Sequence, residues 1–350
     1  MMYRPLLGIT MGDPAGCGPE IAVKALADPR VYERCRPLLI GDVKVMSDAL
    51  RIARHPEMKI NAVSSPRDGK YEFGTIDVHA LDLVDMNSLV YGKVQSQAGE
   101  AAFQCVKKAI ELAMSRDIDA TVTNPISKEA INLAGHHYSG HTEIYAEFTR
   151  TKKYTMMLAH DDLRVVHVST HVSLREACER VKRERVLDVI RIADKACKDL
   201  GIENPCVGVA GLNPHAGENG MFGREEIEEI IPAIESARAE GIDAVGPVPP
   251  DTVFSKALGG WYDMVVCMYH DQGHIPLKVL GFVYDRGKKV WNAVAGVNVT
   301  LGLPIIRASV DHGTAFGHAG TGVANELSLV NAIGYAVRLA QAKRRREEPS

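Results

Sequence analysis

Short β-branched runs alternate with longer helical patterns along the whole of this 350-residue chain, and that alternation limits the fold more than any other feature. Apolar runs at 6–10, 37–40, 76–79, 120–123, 154–159, 163–169, 206–211, 264–268 and 304–309 read as strands. Helical periodicity covers 20–26, 96–115, 128–133, 175–200, 224–240 and 324–343. Strands that alternate with helices predict an α/β protein whose mostly parallel sheet is covered on its faces. The length suits two domains or one large α/β unit with a substantial core. No internal repeat or low-complexity segment interrupts the pattern.

Charge and hydropathy each argue against one class of partner. A formal charge of −3 provides no basic field for nucleic acid, and the one cationic run, Lys343-Arg344-Arg345-Arg346, is followed by Glu347 and Glu348, as in a solvated helix end. Residues 1–8 are too short and too weakly apolar for a signal peptide, and no segment approaches the ~20 apolar residues of a membrane helix. A cytoplasmic protein with no membrane partner is expected. Seven cysteines stand singly, with no Cys-x-x-Cys pair among them, which fits reduced thiols.

Three histidines lie in polar motifs that each follow an apolar strand: Ser169-Thr170-His171, Gly211-Leu212-Asn213-Pro214-His215-Ala216-Gly217-Glu218 and Met268-Tyr269-His270-Asp271-Gln272-Gly273-His274. A strand that ends in a turn delivers the next side chains to its carboxyl edge, where open α/β sheets bind ligands. Neutral imidazole suits zinc and its first-row neighbours, and three protein ligands leave positions open for a substrate oxygen. His171, His215 and His270 are therefore candidate ligands of a catalytic divalent metal, with Asp271 and Glu218 as neighbours able to orient them. Three unrelated histidines bonded to backbone is the plain alternative.

Two glycine-rich stretches look like ligand loops. Gly12-Asp13-Pro14-Ala15-Gly16-Cys17-Gly18-Pro19-Glu20 follows the first strand and opens the first helix, and residues 312–322 are too patterned for a linker. The first stretch is not a Rossmann fingerprint: its spacing is Gly-x-x-x-Gly-x-Gly, and no acidic residue follows a second strand as that fold requires.

Those motifs, with Thr123-Asn124-Pro125-Ile126-Ser127-Lys128, Gly140-His141-Thr142-Glu143, Pro250-Asp251-Thr252 and Ser309-Val310-Asp311-His312-Gly313-Thr314-Ala315, span nearly the whole chain in order. Together they resemble the 4-hydroxythreonine-4-phosphate dehydrogenase family, a branch of the isocitrate/isopropylmalate dehydrogenase-like fold. The resemblance implies a two-domain α/β/α fold, not Rossmann, with an active-site cleft between the domains. The expected domains are residues 1–133 with 312–350, and 134–311, the second carrying the metal histidines. It further implies His141, Thr142, Lys278, Asn298 and Arg307 as substrate-binding residues, and a cofactor loop at His312, Gly313, Thr314 and Ala315. Asp251 and Asp271 are candidates for proton handling or for support of the metal ligands. A homodimer with its active site at the interface is also implied.

The implied reaction is a metal-dependent, NAD-linked oxidative decarboxylation of a phosphorylated four-carbon 3-hydroxy acid, with zinc the expected metal and Mg, Mn or Co alternatives. The 15–18, 91–94 and 273–276 segments look more like the branch acting on 4-phospho-D-threonate or 4-phospho-D-erythronate, which yields dihydroxyacetone phosphate and carbon dioxide. Alternatives are the 4-phosphooxy-L-threonine enzyme of pyridoxal phosphate biosynthesis, a terephthalate dihydrodiol dehydrogenase-like enzyme, and a non-catalytic ligand-binding homologue. Retention of Lys278, Asn298 and Arg307 favours a phosphate over a ring dicarboxylate.

Two features depart from the family pattern. Residues 283–295 form an apparent aromatic and basic insertion between Lys278 and Asn298. At Gly317-His318, NAD-binding relatives often carry a carboxylate for the adenosine ribose, and here there is none. NADP is therefore admitted beside NAD.

Overall fold

The computed structural model describes residues 3–287 and 290–347, and the chain divides into two compact units. The first comprises residues 1–152, 293–297 and 303–350; the second comprises 153–292 and 298–302.

The first unit is built from β1 (Leu6–Thr10), α1 (Gly18–Leu26), α2 (Pro29–Arg34), β2 (Arg36–Gly41), α3 (Val43–Ile52), β3 (Lys59–Val63), β4 (Thr75–Ala80), α4 (Ser96–Met114), β5 (Ala120–Thr123), α5 (Lys128–Leu133) and α6 (His141–Phe148). After the chain returns it adds β14 (Arg307–Val310) and α12 (Leu327–Glu347). Its strands run β3-β4-β2-β1-β5-β14, and every recorded pairing is parallel. Strands covered on both faces read as continuous apolar runs, which is why β1, LLGIT, is buried at every position.

The second unit contains β6 (Thr155–His160), β7 (Leu163–His167), α7 (Leu174–Glu179), α8 (Arg183–Asp199), β8 (Cys206–Ala210), α9 (Ile231–Ala239), β9 (Asp243–Val248), α10 (Val253–Leu258), β10 (Met264–Cys267), α11 (His270–Gly281), β11 (Phe282–Asp285), β12 (Val290–Val294) and β13 (Val297–Leu301). Its order is β13-β6-β7-β10-β8-β9. β6 and β7 form an antiparallel hairpin, whereas β7, β10, β8 and β9 are mutually parallel. Each unit has its own core: Phe103, Val106, Ile131, Ile144 and Tyr145 belong to one, and Leu158, Val165, Phe254, Val265 and Leu277 to the other.

The structure departs from the sequence expectations at several points. The first unit extends beyond residue 133, because α6 buries Ile144 and Tyr145 against Phe103 and Ile131. It resumes at 293–297 and then from 303 rather than at 312, and β14 within it pairs with β5. The helix expected over 175–200 is two helices, broken where Val181 turns fully into the core. The 283–295 insertion, for which no element is expected, carries a two-stranded ribbon, β11-β12; residues 288 and 289 lie outside the described residues. Among the described residues no helix is long and apolar enough to cross a membrane.

Candidate active site

Four adjacent parallel strands of the second unit send candidate residues off one edge. Past the carboxyl ends of β7, β10, β8 and β9 come His171, His270, His215 and Asp251, in that spatial order. The exits are tied together. The Val168 N–H donates to the Cys267 carbonyl at 2.8 Å, and Ser169 Oγ donates to the Met268 carbonyl at 3.1 Å. Buried Gln272 accepts from the Met268 N–H at 2.6 Å and donates through Nε2 to the Gly211 carbonyl at 2.8 Å. The Gly211 N–H in turn donates to the Val248 carbonyl at 2.8 Å. Chain-distant loops are thus fixed to one sheet edge by backbone bonds and by the Ser169 and Gln272 side chains.

The rings of His171 and His270 lie 5.8 Å apart, centroid to centroid. His270 Nδ1 pairs with Asp271 Oδ1 at 2.7 Å, which holds the Asp271 carboxyl below its usual range. His215 Nδ1 lies 3.4 Å from Glu218 Oε2. A carboxylate on Nδ1 leaves Nε2 as the donor atom toward a metal, the usual orienting arrangement for a ligating imidazole. The donor chemistry of His270 and His215 therefore fits a divalent ion, and His171 supplies a third imidazole. Among the described residues no three His, Cys, Asp or Glu side chains converge closely enough to hold a metal ion. Asp251 is exposed in the turn before α10.

Sequence reasoning passes over His274 and Gln272. α11 carries His270, His274 and Lys278 at i, i+4 and i+8, one helical stripe. His274 stacks on His270 with centroids 3.5 Å apart, and its Nδ1 donates to the His270 carbonyl at 2.8 Å. Burial, with His167 and His270 alongside, pushes its imidazole down to about 3. The i+4 spacing within 270–278 was the available signal, hidden by Gly273 and Pro276. Lys278 Nζ lies over the Phe282 ring at 5.4 Å. Asn298 Nδ2 donates to the Met156 thioether, a weak acceptor.

The first unit gathers the other substrate candidates. Arg307 on β14 is 2% exposed, donates through Nη2 to Thr123 Oγ1 at 3.0 Å and sits 5.4 Å from the Tyr145 ring centroid. Desolvation pulls its guanidinium down to about 10. His141 and Thr142 open α6. Burial, reinforced by Arg307, holds His141 well below its usual range, and its buried Nε2 has no hydrogen-bond partner among the described residues.

The 312–315 loop is docked onto the loop that opens α1. The Cys17 N–H donates to the Thr314 carbonyl at 2.9 Å. Glu20 accepts from the Gly320 and Gly322 N–H groups, while Lys24 Nζ donates to the carbonyls of Gly322 and Ala324 at 2.6 and 2.7 Å. Glu20 and Lys24 are further residues that the sequence reading passes over. Ala315 adopts the left-handed conformation, φ 48°. His312 donates through Nδ1 to the Gly313 carbonyl at 2.9 Å, and its buried Nε2 has no partner among the described residues. This tautomer makes Nε2 an acceptor, suited to a ligand hydroxyl or amide.

Asp13, in the same loop region, is fully buried. Oδ1 accepts from the Ala15 N–H at 2.8 Å, and burial pushes the carboxyl up to about 6. Well below pH 4 the group is neutral in folded and unfolded chains alike. Above pH 6 it is ionised in both, and the buried charge then costs the folded state about 3 kcal/mol. Asp13→Asn is therefore expected to show a Tm advantage over wild type that grows as pH rises from 4 to 6 and levels off above about pH 7. A pH-independent Tm difference would contradict it.

The chain shares its fold with the crystal structure of 4-hydroxythreonine-4-phosphate dehydrogenase from Klebsiella pneumoniae, at a TM-score of 0.87 and 42% identity, with 97% of this chain and 99% of that one covered. It is a dehydrogenase, an oxidoreductase acting on a CH–OH group. The family model described as pyridoxal phosphate biosynthetic protein PdxA matches residues 33–336. D-threonate 4-phosphate dehydrogenase of Salmonella typhimurium LT2 is 48% identical over 340 residues, 97% of this chain and 100% of its own length. The enzyme of that name from Pectobacterium atrosepticum is 47% identical over 335 residues, 96% of this chain and 99% of its own. The chain belongs to the PdxA family.

Proposed function

We propose that this dehydrogenase carries out metal-dependent, NAD-linked oxidative decarboxylation of a phosphorylated four-carbon 3-hydroxy acid, with 4-phospho-D-threonate or 4-phospho-D-erythronate favoured. The observation that carries the reading is the edge of four parallel strands, β7-β10-β8-β9, from which His171, His270, His215 and Asp251 emerge together. Relatives named for D-threonate 4-phosphate support the favoured acids. 4-Phosphooxy-L-threonine is the alternative supported by the Klebsiella structure's name.

His171, His215 and His270 would hold a divalent ion, with zinc the first choice for three imidazoles. When bound, that ion supplies Lewis acidity toward the substrate's C3 oxygen in both oxidation and loss of carbon dioxide. Asp271 orients His270 through Nδ1, and Asp251 is the candidate for proton handling. Arg307 and Lys278 supply cationic donors for phosphate and carboxylate, Asn298 supplies an amide, and His141 Nε2 and Thr142 supply further polar contacts. Oxidation at C3 gives a 3-oxo acid whose carbonyl lies β to the carboxylate, so carbon dioxide leaves readily. His312, Gly313, Thr314 and Ala315 form the nicotinamide cofactor loop of this reading, and a homodimer completes it.

Purified protein supplied with zinc or manganese and NAD should form NADH and carbon dioxide in equal amounts with one of the three phosphorylated acids. No NADH from any of them would sink the reading. Sedimentation as a monomer at micromolar concentration would contradict the dimer.

Cofactor choice gives a separate expectation. A side chain at Gly317 would meet nothing within 4 Å, so the absent carboxylate is no packing necessity. An acidic residue there would accept from the ribose hydroxyls and repel a 2′-phosphate. Discrimination between NAD and NADP is expected to stay below about a thousandfold in kcat/KM, or 4 kcal/mol. A larger ratio would mean that another group selects the cofactor.

A further inference from the structure

We infer that Glu226 is a positioning residue that fixes the loop carrying His215 and so sets that histidine's availability as a metal ligand; the inference rests on the metal reading above. The Glu226 side chain is 1% exposed. Its Oε1 accepts from the Leu212 and Asn213 N–H groups, both at 2.8 Å, and Oε2 accepts from Asn213 Nδ2 at 2.9 Å. Three donors from one loop converge on one buried carboxylate, and His215 follows two residues later. Asn213 Nδ2 also donates to Glu225 Oε2 at 2.8 Å, which fixes the amide's orientation.

The His215 loop needs such a hold. His215, Ala216, Gly217, Glu218 and Asn219 all have positive φ, at 53°, 54°, 81°, 44° and 55°. Four of these five are not glycine, and L-residues in that region persist only when their surroundings over-determine the conformation. The backbone closes round the carboxylate at two glycines. A Cβ at Gly217 would lie 2.7 Å from Glu226 Oε2, and one at Gly211 would lie 3.2 Å from Oε1. Glu226 itself opens a single π-helical turn, Glu226–Ile230, ahead of α9. Such turns are uncommon and concentrate at functional sites.

A carboxylate that only stabilised the loop would affect folding and leave metal affinity alone, so metal binding is the discriminating readout. The probe is Co2+, titrated by its visible absorption into metal-free wild type, Glu226→Gln, Glu226→Leu and His215→Ala. Amide exchange at Leu212 and Asn213 is followed in the metal-free proteins. Glu226→Leu, which removes every acceptor, should lose 10- to 100-fold in cobalt affinity with an altered spectrum. Glu226→Gln, which keeps a carbonyl for the two backbone donors, should lose less. The two amides should exchange more than about tenfold faster in the leucine variant.

If circular dichroism shows that Glu226→Leu does not fold, Asn213→Ala is read in its place, with a cobalt affinity loss of at least about threefold expected. A folded leucine variant with wild-type cobalt affinity overturns the inference, as does wild-type affinity in Asn213→Ala where the leucine variant does not fold. Unchanged cobalt binding by His215→Ala overturns the metal reading instead, and the exchange rates then still decide whether Glu226 holds the loop.

Discussion

Replacing His215 with alanine is expected to lower kcat on the order of a thousandfold in the metal-supplied enzyme, the usual scale for losing a group that stabilises transition-state charge. Nucleotide affinity should change less than about threefold. The separation is physical: His215 is an exposed side chain of the second unit, whereas the 312–315 loop belongs to the first, where Cys17 holds Thr314 and Glu20 and Lys24 hold the 320–324 stretch that follows. Alanine at φ 53° adds strain of about 1 kcal/mol, which complicates a single variant. Asparagine tolerates the left-handed region better and removes the imidazole equally. His215→Asn should therefore recover stability without recovering turnover. Turnover within tenfold of wild type in either variant would remove His215 from the chemistry, and equal loss of turnover and nucleotide binding would indicate a folding defect.

The parallel strands and the histidine motifs were legible in the sequence for one reason: a strand covered on both faces is a continuous apolar run, and the first polar residues after it mark its carboxyl edge. The order in which those strands pair was not legible. β10 lies between β7 and β8 although it follows both in the chain, so the neighbourhood of His270 and His171 comes from a crossover that no local pattern records. α11 was hidden because Gly273, Pro276 and Gly281 lower its propensity, and packing of Leu277 into the core outweighs them. Glu226 lies in Arg224-Glu225-Glu226-Ile227-Glu228-Glu229, which reads as a solvated helix face. Only the π turn and the loop folded over it show that one of these carboxylates is interior. The short helices α2 and α3 carried readable signals, since Asp28 and Asp42 each accept from an N–H two residues on and Pro29 opens the first.

Arg307→Met is expected to separate function from stability. Methionine fills much of the arginine volume without the charge, so the variant loses charge-assisted bonds to a phosphate or carboxylate. A loss of about 3 kcal/mol, roughly a hundredfold in kcat/KM, should fall mostly on KM because the anion is bound alike in ground and transition states. Stability should move the other way or not at all. Burial already pulls this guanidinium down to about 10, so holding its charge inside the first unit is unfavourable, and apolar replacement of buried charge is often neutral or stabilising. Arg307→Lys keeps a charge but loses the planar fork and the stacking on Tyr145, and should recover only part of the affinity. Inorganic phosphate gives a test that needs no turnover: it should raise the wild-type Tm in proportion to its binding and leave the methionine variant nearly unmoved. If phosphate stabilised both proteins equally, or if KM for the phosphorylated acid stayed within threefold of wild type, Arg307 would be a buried structural cation and the anion would have to be held elsewhere.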